Sequence, residues 1–266
     1  MEEQVIRAIQ ELTSEIKKEN GLTENAVIRD DVFGILQGIP NCTVVYYPIE
    51  SEADEDGCDG CHVVRIVKGI EKQLVFINTA NARERQAFSV AHELGHIWDV
   101  DGRLRRILPE IQLDAEEVTN RFAAELLMSE KIFIEQANAK ISQFRQEQGI
   151  KVLDFIRIIV YLMSYFFAPY KAVVIRLSEV KIIDEIVQTQ LLKFKNSKYV
   201  ESIINEEQYT RLGIKSENKS VANLEENLEE IERRELFSSN KIKAIRDTFG
   251  LTEMEEDAGL NNVLRI

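Results

Sequence analysis

The sequence predicts an α+β fold in which most of the chain is helical and one small three-stranded sheet lies near the start. Three observations predict it. The N-terminus repeats apolar residues at helical spacing, residues 42–77 hold three short β-branched segments, and the chain from about residue 83 onward returns to helical periodicity.

The first helix is written by Val5, Ile9, Leu12 and Ile16, which recur on one face, and Asn20-Gly21 ends it. A second helix is expected over residues 23–37, stopping before Gly38 and Pro40. The runs from Cys42 to Tyr47, His62 to Val67 and Gln73 to Ile77 are rich in Val, Ile, Tyr and Phe and read as strands. The last two should form a hairpin through Lys68-Gly69. Helices are then expected at about 83–99, 115–128, 130–147, 151–166, 169–180 and 183–196, with Asp114 to Glu117 as a capping box opening the second of these. Beyond about residue 197 the chain is polar and acidic, yet Leu224, Leu228 and Ile231, then Ile242, Ile245 and Phe249, still mark helical stripes. This region reads as a helical, acidic appendage.

Composition narrows the function. The 266 residues carry 46 acidic and 33 basic side chains, a net charge of -13, which argues against direct nucleic-acid or anionic-membrane binding. Three cysteines do not make a disulfide framework, no apolar leader opens the chain, and the uncharged run from Ile158 to Tyr170 is too short to span a bilayer. A reducing cytoplasm is the expected location.

Two of the three histidines stand in His92-Glu93-Leu94-Gly95-His96, an H-E-x-x-H string on an expected helix. Residues four apart share a helix face, so two imidazoles can converge on one ion, while Glu93 lies about 100° further round and can address a water without being a ligand. Zinc accepts such a nitrogen-rich set and keeps a position open in catalytic sites. Phe88, Ala91, Leu94 and Ile97 form an apolar stripe that would bury one side of the same helix. The candidate third ligand is Glu116, with nineteen residues between it and His96. Its plain alternative is a helix-start carboxylate answering the macrodipole, but Glu117 fits the capping box better and leaves Glu116 free. Asn120, one turn further on the same face, can accept a hydrogen bond from a ligand imidazole. Gly95 should let a neighbouring backbone approach the metal helix.

The stretch from Asn78 through Arg85-Gln86-Ala87-Phe88 to His96, followed by Glu116 through Asn120, Phe122-Ala123-Ala124 and Leu126-Leu127-Met128, resembles the ImmA/IrrE family of metallo-endopeptidases. Ser129 stands where the family usually has proline, and Pro169 to Leu177 is similar to a short family helix ending in an Arg-Leu pair. The resemblance implies a thermolysin-like, zincin core over residues 1–185, with 186–266 as the acidic C-terminal appendage. It implies Zn2+ held by His92, His96 and Glu116, with Glu93 as catalytic acid and base. It further implies a protein substrate, a basic helix-turn-helix repressor of a mobile element or stress response, which is cleaved or inactivated. The rival reading is a non-catalytic, zinc-containing module that sequesters a repressor. The group that would stabilise the oxyanion stays open among His62, Tyr47, Tyr161, Tyr165, an arginine and a backbone N–H, and a peptide could add as a strand at an exposed sheet edge.

Weaker signals read as ordinary structure. Cys58-Asp-Gly-Cys61-His62 matches a haem-attachment string but reads better as a turn entering a strand. Arg103, Arg105 and Arg106 are expected in a solvated loop, and the acidic run 50–59 on the surface.

Overall fold

The computed structural model describes residues 3–50, 59–145, 147 and 149–251. The chain is mixed α+β. The elements are α1 (Glu3–Glu19), α2 (Asp31–Gln37), β1 (Cys42–Tyr47), β2 (Gly60–Val67), β3 (Ile70–Asn78), α3 (Arg83–Ile97), α4 (Val100–Ile107), α5 (Ala115–Leu127), α6 (Glu130–Phe144), α7 (Val152–Phe166) and α8 (Tyr170–Glu179). They continue as α9 (Glu185–Leu192), α10 (Lys198–Glu206), β4 (Ser220–Val221), α11 (Leu224–Arg233) and α12 (Ser239–Phe249).

The sheet order is β2-β3-β1-β4, with β2 antiparallel to β3 and β1 parallel to it. Lys68 and Gly69 close the β2–β3 hairpin, both at positive φ (52° and 77°), the two-residue turn whose twist suits paired strands. The expected three strands are present, and a fourth joins them. β4 pairs with Val45 and Tyr46 on the far side of β1. Two residues are too few to leave an alternating pattern, so only the pairing reveals them.

Val44, Val75 and Ile77 point from the sheet into the core, where the stripe Val5, Ile9, Leu12 and Ile16 of α1 is also buried. Each such side chain contributes about 1.5–3 kcal/mol on burial. α3 lies between the sheet and α5 and packs against both. Arg176 of α8 is fully buried, donates from Nε to the Met128 carbonyl at 3.1 Å and pairs with Glu125, tying α8 to the end of α5.

Three local expectations are corrected. Residues 23–30 form turns, and the second helix begins only at Asp31. The long helix expected over 83–99 stops at Ile97, and Asp99 at φ 51° starts α4. The three arginines expected in a solvated loop sit on α4 and bind carboxylates of their own chain: Arg103 to Glu19 at 2.9 Å, Arg105 to Asp101 at 2.9 Å and Arg106 to Asp99 at 3.1 Å. Cys58 and most of the acidic run 50–59 lie outside the described residues.

The segment 213–221 lies against the start of α3 as well as against β1. Arg83 N–H donates to Ile214 O at 2.8 Å, Thr79 Oγ1 to Asn218 O at 2.7 Å, and Gln86 Nε2 to Ser216 Oγ at 3.2 Å. Gly213 N–H donates to the buried Glu84 carboxylate at 3.1 Å. No single helix among the described residues is long and apolar enough to cross a membrane.

Candidate metal centre

α3 is positioned from both ends. Asn78 ends β3, and its amide accepts from Ile49 N–H at 2.9 Å and Ala80 N–H at 3.0 Å, which turns the chain into the helix. Arg85 then grips Asp59, with Nε to Oδ2 at 3.0 Å, while Asn81 Nδ2 donates to Asp59 Oδ1 at 2.8 Å. Asp59 precedes Gly60, the first residue of β2, and this brings the strand against the helix. A β-carbon placed on Gly60 would lie 2.9 Å from Glu93 Oε1 and 3.0 Å from Phe76 O, so only glycine fits.

α3 and α5 meet just as tightly. A β-carbon on Gly95 would lie 2.7 Å from Thr119 Cγ2 and 3.0 Å from Phe122 Cδ1. The close approach expected at Gly95 is therefore made by α5 side chains and not by its backbone. Asp114 caps α5 by accepting Glu117 N–H at 2.8 Å. That register leaves Glu116 turned toward the histidines.

His92, His96 and Glu116 each offer a ligand atom, and these atoms all lie within 4.8 Å of one another. The two imidazole Nε2 atoms are 3.1 Å apart, and Glu116 oxygens lie 3.3 Å from His92 Nε2 and 3.6 Å from His96 Nε2. Ligand atoms about 2.0–2.1 Å from a tetrahedral ion stand roughly 3.3 Å from one another, so two imidazole nitrogens with the Glu116 carboxylate, whose Oε2 faces His92 and whose Oε1 faces His96, fit a zinc-type ion. Burial, then the neighbouring His92, holds the His96 imidazole below its ordinary value, which keeps it in the neutral form a metal needs. Asn120 Oδ1 stands 3.0 Å from His92 Nδ1, on the ring edge opposite the cluster.

Glu93 is 4% exposed. Burial, reinforced by the Glu116 charge, pushes its carboxyl up to about 7. A carboxylate with that affinity for protons is suited to take one from water and return it near neutral pH.

Among the open oxyanion candidates, the fold brings His62 to this place. Its ring stacks on that of His96 at 6.4 Å and 21°, and its Nε2 lies 3.1 Å from Gln73 Oε1. The tyrosines are engaged in other contacts: Tyr47 against Phe249, Tyr161 with Gln136, and Tyr165 beneath Arg29. Sequence reasoning missed Asp59, Gly60 and Arg85 as parts of the site's frame. A glycine opening a β-branched run was the available signal for Gly60.

Two nitrogens from the H-E-x-x-H helix α3 and a carboxylate from α5, backed by the buried Glu93, make a metallopeptidase-like centre. The family model for the IrrE N-terminal-like domain, a peptidase family, matches residues 40–178, just over half of the chain, and the chain belongs to that family. No curated protein matches the chain. A solved structure, a Mycobacterium tuberculosis transcriptional regulator, is similar at 15% identity and a TM-score of 0.40, over 65% of this chain and 46% of that one. The chain thus spans less than half the length of that structure.

Proposed function

We propose that this protein is a zinc-dependent endopeptidase in which His92, His96 and Glu116 hold the ion, Asn120 orients His92, and Glu93 is the general base and acid. Membership of a peptidase family supports a metallopeptidase-like function, and the observation that carries the catalytic reading is Glu93. A structural metal site has no use for a buried carboxylate against the ligand helix with its proton affinity raised to about 7. When bound, the ion supplies Lewis acidity toward an amide carbonyl and toward water. Glu93 takes the water proton on a carboxylate oxygen and delivers it to the departing amine. Asn120 Oδ1 accepts from His92 Nδ1–H, which leaves Nε2 as the unprotonated, ligating nitrogen.

The substrate we propose is a basic helix-turn-helix repressor, cleaved or otherwise inactivated. Support comes from the resemblance to the ImmA/IrrE peptidases and from the net charge of -13, which attracts a basic partner. The test is Glu93→Gln in the full chain. It should retain metal and lose hydrolysis by at least ~10²–10⁴-fold, the contribution of a general base. Metal content by elemental analysis and repressor cleavage by gel give the two readings. Loss of metal in this variant would overturn the role of Glu93, and an unchanged effect on the repressor would favour the sequestering module.

A further inference from the structure

We infer that the cavity between α7, the turn before α2 and residues 208–212 binds a small aromatic acid, one or two rings carrying a single carboxylate or phosphate, and that its occupant steadies the segment that holds α3. No residue of the metal centre lines this cavity. The inference therefore goes beyond the peptidase reading and does not depend on it.

The cavity measures about 330 Å³, at the low end for small-molecule sites, which limits the occupant to one or two rings. Its walls are aromatic. Tyr161 and Tyr165 stand one turn apart on α7 with ring centres 6.0 Å apart, and Tyr209 lines the cavity from the segment that follows α10. Such ring faces suit a stacked aromatic group. Burial holds the Tyr161 and Tyr209 hydroxyls above their ordinary values, so both stay neutral beside an anion.

Two guanidiniums supply the charge that an acid needs. Arg29 lies 5.3 Å from the Tyr165 ring centre and donates from Nε to the Tyr165 carbonyl at 2.7 Å. Among the described residues no carboxylate pairs with Arg29, so its two terminal nitrogens keep the donors that grip a carboxylate or phosphate. Arg211, 5.2 Å from the Phe167 ring centre, pairs with Asp30 and adds a second positive charge at the rim. The backbone points the same way. Arg29 and Gln208 both line the cavity, are exposed, and adopt φ of 53° and 58°. Glycine would take this left-handed conformation at lower cost, and neither side chain serves the core. Long polar side chains at such positions have a use at the cavity.

One wall of the cavity runs directly into the segment bound to α3. Thr210 and Leu212 line it, and the next residue, Gly213, donates its N–H to Glu84 at 3.1 Å. Arg83 N–H donates to Ile214 O at 2.8 Å. The Arg211–Asp30 pair joins that wall to the turn that carries Arg29. A ligand held between Arg29 and Tyr209 bridges the same two walls, and so fastens 208–214 against the first turn of α3. That helix carries His92, Glu93 and His96.

The experiment is calorimetric titration of the full chain with two aromatic acids, indole-3-acetate for the carboxylate and adenosine 5′-monophosphate for the phosphate. At least one should bind at a single site, and the arm that binds tells which acid group is taken. It should bind about tenfold or more tightly than tryptamine, a ring of opposite charge, which is the scale of one charge-assisted hydrogen bond. Arg29→Ala, a change at an exposed position, should remove most of that preference. Ser164→Phe, which fills the cavity, should abolish binding, and thermal melts verify that both variants fold. The bound acid should also slow hydrogen exchange at the amides of residues 83–86 and 213–216. No saturable binding of either acid below about 1 mM, the affinity a ligand of this size reaches at ordinary efficiency, would overturn the inference. So would equal affinity for tryptamine, or binding that survives both variants, and unaltered exchange would overturn the link to α3. A chain that takes the acid but holds no zinc fails the peptidase reading alone, whereas one that holds zinc and cuts its target but takes neither acid fails only this inference.

Discussion

Gly95→Ala tests whether the α3–α5 contact sets the metal geometry. The added methyl would sit 2.7 Å from Thr119 Cγ2 and 3.0 Å from Phe122 Cδ1. Ordinary carbon contacts are about 3.5–4.0 Å, so α5 must retreat by roughly 1 Å or its side chains must leave their rotamers. Overpacking of this kind costs about 1–3 kcal/mol. Alanine returns about 1 kcal/mol of helix propensity over glycine. The net loss of stability is therefore small, about 0–2 kcal/mol. The metal should respond far more, because Glu116 lies one turn before Thr119 on the helix that must move, and ligand distances tolerate only about ±0.2 Å. Zinc affinity by chelator competition should fall about tenfold or more, the scale found when groups that orient ligands are disturbed. Thr119→Ser removes the nearest clashing carbon while keeping the hydroxyl that donates to Ala115 O at 2.8 Å. Adding it to Gly95→Ala should restore part of the affinity, and Phe122 accounts for the remainder. A Gly95→Ala protein that binds zinc like its parent and melts no lower would refute the reasoning.

Two further outcomes follow from neighbouring carboxylates. Glu116→Ala should strip zinc under chelator concentrations that leave the parent loaded, whereas Glu117→Ala should keep the metal and cost at most about 1 kcal/mol at the helix start; metal loss from Glu117→Ala alone would mean the register of α5 has been misread. Glu84 is buried, and burial raises its carboxyl pKa in the fold, only partly offset by backbone N–H groups including that of Gly213. Its contribution to stability is therefore fully present below the unfolded value of about 4.3 and is lost as pH rises through the raised folded value. Glu84→Gln should melt higher than the parent near pH 7 and no higher near pH 4, read by thermal melts across that range; a lower melting temperature at both ends would show that the charged form is the stabilising one.

Much of the centre was legible because its chemistry repeats along the helix. The i, i+4 spacing of His92 and His96, the offset of Glu93 and the helix start at Asp114 are local properties of one turn of chain, and a single sequence carries them. The burial of Val5, Ile9, Leu12 and Ile16 was legible for the same reason, since period 3.6 marks the face that must be covered. The sheet's three main strands announced themselves by β-branched runs. What no local pattern could state is which residues approach from a distance. Only the tertiary structure decided that Gly60 stands against Glu93, that Thr119 and Phe122 fill the space beside Gly95, and that His62 lies over His96. It alone decided that 213–221 returns from far along the chain to hydrogen-bond Thr79, Arg83, Glu84 and Gln86, and to pair with one edge of the sheet. The physical reason is the same in each case: periodicity and capping are set by neighbours in sequence, whereas steric fit and edge pairing depend on partners whose identity emerges only when the chain has folded.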